Sequence, residues 1–247
     1  MKKLNSNHLK LIAIIAMTID HLADFLYPAM PNIAISNIMH IVGRLTAPIM
    51  FFFICEGYFY TKNIKKYITR LFIFAFISHF AYCFAFGINF IPFTSGSIFN
   101  QTSIMWSLAW AVVALHILHG ENNLKNYQKW LLIILINIIT FPADFSSIVV
   151  MAILFMYDRR NNFKGQMISM MSWLLLYSLI SYLFVNKTYG VIELSSVLVI
   201  PLLYNYNKER GKAKWLKWFF YIYYPLHLFI IGLLRLNTYG NIPLLFN

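Results

Sequence analysis

Apolar runs follow one another along almost the whole of this chain, parted only by short linkers that are basic or rich in turn residues. A run of about 20 apolar residues is the length that crosses the hydrocarbon core of a bilayer as an α-helix. No water is present there to satisfy the backbone, so helix is the conformation such a run adopts. The pattern predicts an all-α, polytopic membrane helix bundle of about nine spans (eight to ten) over residues 9–27, 38–60, 67–87, 102–119, 129–142, 146–157, 166–185, 191–206 and 215–235. The sixth and eighth are short, and each is either a thin span or a re-entrant one. Pro28, Pro31, Pro92, Gly96, Pro142, Gly165, Gly190 and Gly211 punctuate the linkers.

Composition agrees with this. Charged residues make up 11% of the 247 and hydrophobic ones 60%, where a soluble domain carries roughly 25% charged. No polar stretch reaches the roughly 50 residues of a separate soluble domain, so residues 1–247 read as one membrane domain. Lys2 and Lys3 before Leu9–Met17 imitate a secretory signal. Asp20 and His21 interrupt that run, and no small-residue cleavage site follows, so the segment reads as an uncleaved first helix. Cys55 and Cys83 both lie in apolar runs without metal-binding spacing and read as small buried side chains.

The net charge of +12 raises the question of nucleic acid. The cations fall in short clusters between apolar runs instead, as loops facing an anionic leaflet do, and no nucleic-acid partner is expected. Linkers on one side hold 17 of the 20 Lys and Arg residues, and the opposite linkers hold Lys187 and Arg235. The positive-inside rule then places the N-terminus in the cytoplasm, in a multi-pass protein of the cell (cytoplasmic) membrane.

Against this background, charges inside the runs stand out, because each costs a few kcal/mol in hydrocarbon unless paired or employed. Asp20 and His21 lie late in the first run and Arg44 early in the second. At 1.5 Å per residue, His21 and Arg44 both sit roughly 9 Å below the outer edge. The short linker makes the two helices antiparallel neighbours, so Arg44 can meet Asp20, Asp24 or His21. Asp20 and Asp24 share a helix face, as do His40 and Arg44. His227, Asp144 and Glu193 fall at the same depth. The chemical reading is a general base, His21, whose tautomer Asp20 or Asp24 fixes, with Arg44 stabilising a developing oxyanion. The structural alternative is an Asp–Arg pair that only locks two helices together.

Other candidates have plainer readings. His116 and His119 suit an interface, and no metal site is expected. His79 reads as a hydrogen-bonded interior histidine. Glu56 is expected to pair with Lys62 or Arg70. No P-loop, nucleophile elbow or zinc-protease motif is present.

The residues around these charges also carry a family pattern. Ile12–His21, with Thr18-Ile19-Asp20-His21 at its end, resembles the opening of TraX-family proteins. So do Gly43-Arg44-Leu45-Thr46-Ala47-Pro48, Glu56-Gly57-Tyr58, Thr61-Lys62-Asn63, Ala143-Asp144-Phe145, Arg210-Gly211-Lys212 and Tyr224-Pro225-Leu226-His227-Leu228. The family is named for a conjugation protein that N-acetylates F-type pilin subunits, and it is similar to a wider set of integral-membrane acyltransferases with a membrane-embedded histidine. The resemblance implies acyl (acetyl) transfer from acyl-CoA as donor substrate, with no permanently bound cofactor. It points at Asp20, His21, Arg44, Asp144 and His227. The chain departs from the pattern at Ser78-His79, where relatives often have an acid after the serine.

This implies an acyltransferase acting on an amine or hydroxyl of a peptide, glycan or lipid acceptor amid membrane lipids. Lys62, Arg210, Lys212 and Lys214 are the expected contacts for the donor's phosphates. Asp24, Asp144, His227 and Glu193 are expected to support the site. A proton-coupled transporter or flippase and a non-enzymatic assembly factor are the alternatives. Against the transporter, there is no inverted repeat.

Overall fold

A computed structural model describes residues 3–28, 33–94, 98–213 and 215–240. Among them all regular secondary structure is helical: α1 (Ser6–Leu26), α2 (Ala34–Gly43), α3 (Thr46–Tyr60), α4 (Ile64–Phe86), α5 (Ile104–His119), α6 (Asn126–Thr140), α7 (Ile148–Asp158), α8 (Phe163–Phe184), α9 (Lys187–Glu193), a 3₁₀ turn (Leu194–Leu198), α10 (Val199–Tyr204) and α11 (Leu216–Tyr239). Lys2, Pro31, Gly96 and Lys214 lie outside the described residues.

Asparagine starts many of these helices. The Asn5, Asn63, Asn162 and Asn186 side chains accept from backbone N–H groups at the beginnings of α1, α4, α8 and α9. Each satisfies donors that a helix start leaves open. Proline breaks two of the expected spans. Pro48 offers no N–H to the Arg44 carbonyl, and its ring crowds that group, so the run over 38–60 bends at Arg44–Leu45 between α2 and α3. Pro201 does the same to Val197, and the segment expected over 191–206 is divided into α9, the 3₁₀ turn and α10.

The stretches Ala34–Tyr60, Ile64–Phe86, Phe163–Phe184, Lys187–Tyr204 and Leu216–Tyr239 are long and apolar enough to cross a membrane. α3, α5 and α7 are apolar on all sides and form the centre, with Phe51, Leu108, Leu115 and Ile153 fully buried. Around them, α4, α6, α8 and α11 expose apolar stripes at helical spacing: Ile73, Phe76, Ile77 and Phe80 on α4; Leu131, Ile134, Leu135 and Ile138 on α6; Leu226, Phe229, Ile230 and Leu233 on α11. Exposed stripes of this extent are surfaces for lipid tails. The protein is an integral-membrane helical bundle.

α1 packs against α2, α3 and α11, α2 meets α9, and α9 folds back on α8. Two glycines let elements approach closely around the charged cluster. A Cβ on Gly43 would overlap the Asp20 carboxylate, and one on Gly190 would sit 2.5 Å from the Tyr182 backbone nitrogen. Glu56 pairs with Arg160, Nε to Oε1 at 2.8 Å, and not with Lys62 or Arg70. α3 and α7 are packed neighbours, which brings the residue just past α7 over Glu56, while Arg70 turns to aromatic rings of α11.

Candidate active site

Arg44 is the hub of the buried cluster. The chain bends there, which frees its side chain to point between α1, α2 and α9. Nη2 donates to both oxygens of Asp20, at 2.8 and 2.6 Å. Nη1 donates to Tyr189 Oη at 3.2 Å and pairs with Glu193. Nε reaches the His40 carbonyl at 3.4 Å. The guanidinium also lies over the Tyr189 ring, 5.2 Å from its centroid. Each nitrogen of the fork has a partner within the protein, and Arg44 is only 6% exposed. It therefore holds two carboxylates and two helices in place.

Asp20 is likewise engaged away from His21. Its Oδ1 accepts from His40 Nδ1 at 2.8 Å. A carboxylate that accepts there fixes the proton of His40 on Nδ1. His40 Nε2 is buried without a hydrogen-bond partner, and it faces Asp24 Oδ1 at 4.0 Å. Asp24 is the more open carboxylate, 31% exposed against 13% for Asp20.

His21 is oriented by histidine, which corrects the expectation that Asp20 or Asp24 fixes its tautomer. His227 Nδ1 lies 2.9 Å from the Tyr223 carbonyl, which can only accept, so that nitrogen carries the proton. Neutral His227 then presents a lone pair at Nε2, 2.7 Å from His21 Nδ1. His21 Nδ1 donates to it, and the basic lone pair of His21 is left on Nε2. The two rings are nearly parallel, at 5°, with the Phe86 edge against His21. Tyr223 closes the other side, its ring stacked on His227 and its hydroxyl 2.8 Å from Thr18 Oγ1. His21 is half-buried, and its Nε2 makes no hydrogen bond among the described residues.

Asp144 arrives from the hairpin between α6 and α7. Phe145 and Ser146 adopt left-handed φ of 59° and 52°, each a cost of about 1 kcal/mol or more for a residue with a side chain. Backbone bonds from Gln101 to Pro142 and from Asp144 to the Thr102 carbonyl, 2.7 and 2.9 Å, hold the turn. The Asp144 carboxylate lies within electrostatic reach of Arg44, Glu193 and Asp20. Tyr82, Tyr177, Tyr189 and Tyr224 are in turn within its reach. A groove of about 420 Å³ opens between α2, α8 and α9, lined by Asn37, Ile41, Lys187, Thr188, Ile192 and Ser195 among others.

Asp20, Asp24, Arg44, Asp144 and Glu193 thus share one region with the His21–His227 pair. The residues that the sequence reading left without a role are His40, Tyr189 and Tyr223. His40 was visible as the i,i+4 neighbour of Arg44, whereas Tyr189 and Tyr223 enter by tertiary packing alone. The cations expected to meet phosphate do not lie together. Arg210 lies within electrostatic reach of Lys10 and Lys217, while Lys62 and Lys212 are exposed loop residues outside that group. No group of three or more His, Cys, Asp or Glu suited to a metal occurs among the described residues. His79 has both ring nitrogens engaged, to Thr102 Oγ1 and the Phe90 carbonyl, and His119 sits 3.3 Å from Asp158.

These features define a polytopic helical membrane protein with a partly open histidine pair set beside a buried guanidinium–carboxylate cluster. The family model described as "TraX protein" matches residues 5–235, and the chain belongs to the TraX family. It is similar to a Dichelobacter nodosus protein named "Probable fimbrial assembly protein FimC, serogroup H1". The two are 29% identical over 230 residues, covering 90% of this chain and 92% of the relative. No solved structure matches.

Proposed function

We propose that the protein is a membrane-embedded acyltransferase that moves an acyl group, in the first instance acetyl, from acyl-CoA to an amine or hydroxyl of a surface-bound acceptor. The observation that carries this reading is the directed hydrogen-bond chain from the Tyr223 carbonyl through His227 to His21, which leaves a free basic nitrogen on a half-open imidazole. In the reaction, His21 Nε2 takes the proton from the acceptor N–H or O–H as that atom attacks the thioester carbonyl. The C–S bond then breaks, and the CoA thiolate leaves with the proton. Arg44, Asp20, His40 and Glu193 keep α1, α2 and α9 at fixed spacing around the site.

The reading includes nine spans with the N-terminus in the cytoplasm, so that donor and acceptor arrive from opposite sides of the cytoplasmic membrane. A relative named for fimbrial assembly supports a peptide of a surface fibre as that acceptor.

The test uses membranes containing His21→Ala or the native chain, labelled acetyl-CoA, and mass spectrometry of surface peptides, glycans and lipids. Loss of a general base lowers transfer by about 10²–10⁴-fold. Equal incorporation by both proteins removes His21 from the mechanism.

A further inference from the structure

At the opposite end of α1 and α11 the chain gathers cations. Lys10 of α1 lies within electrostatic reach of Arg210 and Lys217, and Lys217 is within reach of Arg70 and Arg210. Among the described residues none of the four makes an ion pair with a carboxylate. They are held together by other means. Arg70 lies against the rings of Tyr67, Trp218 and Tyr221, at 5.3, 5.8 and 5.3 Å, and its Nε is buried with no partner. Lys10 Nζ stands 5.4 Å from the centre of the Phe53 ring. The Arg210 loop is pinned to the start of α1 by backbone bonds from Leu4 to Asn205, from Ser6 to Glu209 and from Asn207 to Leu4. Gly211, at φ +76°, turns the chain back over Asn7. The first turn of α11 has no side-chain cap, and although its Leu216 and Trp218 N–H groups bond the Ala213 and Trp215 carbonyls, the helix dipole adds a positive pole there. Like charges packed this closely call for an anion.

Distance narrows what that anion is. Lys10 precedes His21 by eleven residues on α1, and Lys217 precedes His227 by ten on α11. Since both ends meet, the helices run parallel, and the cations stand roughly 15 Å from the histidine pair at 1.5 Å per residue. A pantetheine arm, from phosphate ester to sulfur, is about as long as four extended residues, or roughly 14 Å. The hydroxyl pair of Thr18 and Tyr223 bridges the seam partway along, where the arm's amides need polar partners.

We infer that Lys10, Arg70, Arg210 and Lys217, with the uncapped start of α11, form a cradle for the phosphates of the acyl-CoA donor, whose arm runs along the α1–α11 seam to His21. This deepens the acyl-transfer reading and rests on it for the identity of the donor. It replaces Lys62 and Lys212 as phosphate contacts by cations already gathered in the fold.

The experiment uses the full chain in nanodiscs of neutral lipid and reads ligand-induced shifts in thermal unfolding. The probes are CoA, 3′-dephospho-CoA and pantetheine, and a parallel set of discs contains phosphatidylglycerol. CoA is expected to raise the midpoint most, dephospho-CoA less, and pantetheine not at all. The triple variant Lys10→Gln, Arg210→Gln, Lys217→Gln weakens CoA binding at least tenfold, whereas Lys125→Gln with Lys164→Gln does not. Arg70 is left intact because its aromatic stack serves packing. In transfer assays the triple variant raises the KM for acetyl-CoA about tenfold and that for S-acetyl-N-acetylcysteamine, which lacks phosphate, less than twofold. CoA binding that is absent in the native chain or unchanged in the triple variant overturns the cradle. So does stabilisation by phosphatidylglycerol that abolishes the CoA shift, which marks a lipid-headgroup site. Transfer that needs His21 but not the cations sinks the cradle alone. CoA binding through the cations, with no transfer, sinks the acyl-transfer reading alone.

Discussion

Among the described residues two guanidiniums meet carboxylates, and they are built differently. Arg160 binds one acid, Glu56, at a partly open helix end. The Phe59 ring lies 3.5 Å beneath its guanidinium, and the two side chains are 15% and 10% exposed. Arg44 binds two acids from two helices at 6% exposure, while further carboxylates and a buried, unpartnered histidine nitrogen stand near it. The first arrangement is balanced, one cation against one acid. The second leaves polar capacity over, which a purely structural pair has no need to do. That surplus, more than the burial of charge as such, separates a packing device from a site.

Substitutions test this difference. Arg44→Met leaves Asp20 and Glu193 buried without a counter-charge, and a loss of about 3–5 kcal/mol is expected in chemical or thermal unfolding. Arg44→Lys recovers only part of it, because an ammonium lacks the planar fork that spans two carboxylates. Gly43→Ala pushes a methyl group into the Asp20 carboxylate. It costs about 1–3 kcal/mol and loosens the α1–α2 contact, which lower transfer activity accompanies. His227→Gln disturbs the tautomer of His21 but little packing. Transfer is expected to fall about tenfold, or 1.4 kcal/mol, with an unfolding midpoint within a degree or two of the native one. Arg160→Met, at the less buried pair, costs about 1–3 kcal/mol and leaves transfer unaltered. If Arg160→Met proves as damaging as Arg44→Met, the contrast between the two pairs is wrong.

Much of this was legible before any coordinates. The apolar runs marked the helices, and matched depth brought Arg44 and Asp20 together, because a helix advances by a fixed step and a short linker forces antiparallel neighbours. Partner choice within the cluster was not legible. Asp20, Asp24 and His21 occupy adjoining faces of α1, and only the rotation of α1 against α2 and α11 decides that Asp20 meets Arg44 and His21 meets His227. The breaks at Arg44 and at Leu194–Leu198 were signalled by Pro48 and Pro201, four and three residues beyond the bend or turn, but proline also sits unbroken within α11 at Pro225. Sequence distance favoured Lys62 and Arg70 for Glu56, whereas the neighbouring α7 brings Arg160, two residues past its end, to Glu56.

The pairing of two imidazoles has a consequence for how charge moves. A hydrogen ion captured on the Nε2 atom of His21 makes that ring cationic, and its Nδ1 hydrogen can then hop the 2.7 Å to His227. His21 becomes neutral again in its other tautomer, and the positive charge rests one ring further inside, stacked on Tyr223. The couple thus behaves as a small reservoir that stores one hydrogen ion away from the reacting centre and returns it by the same route, which suits a cycle that must first remove and then restore a single hydrogen.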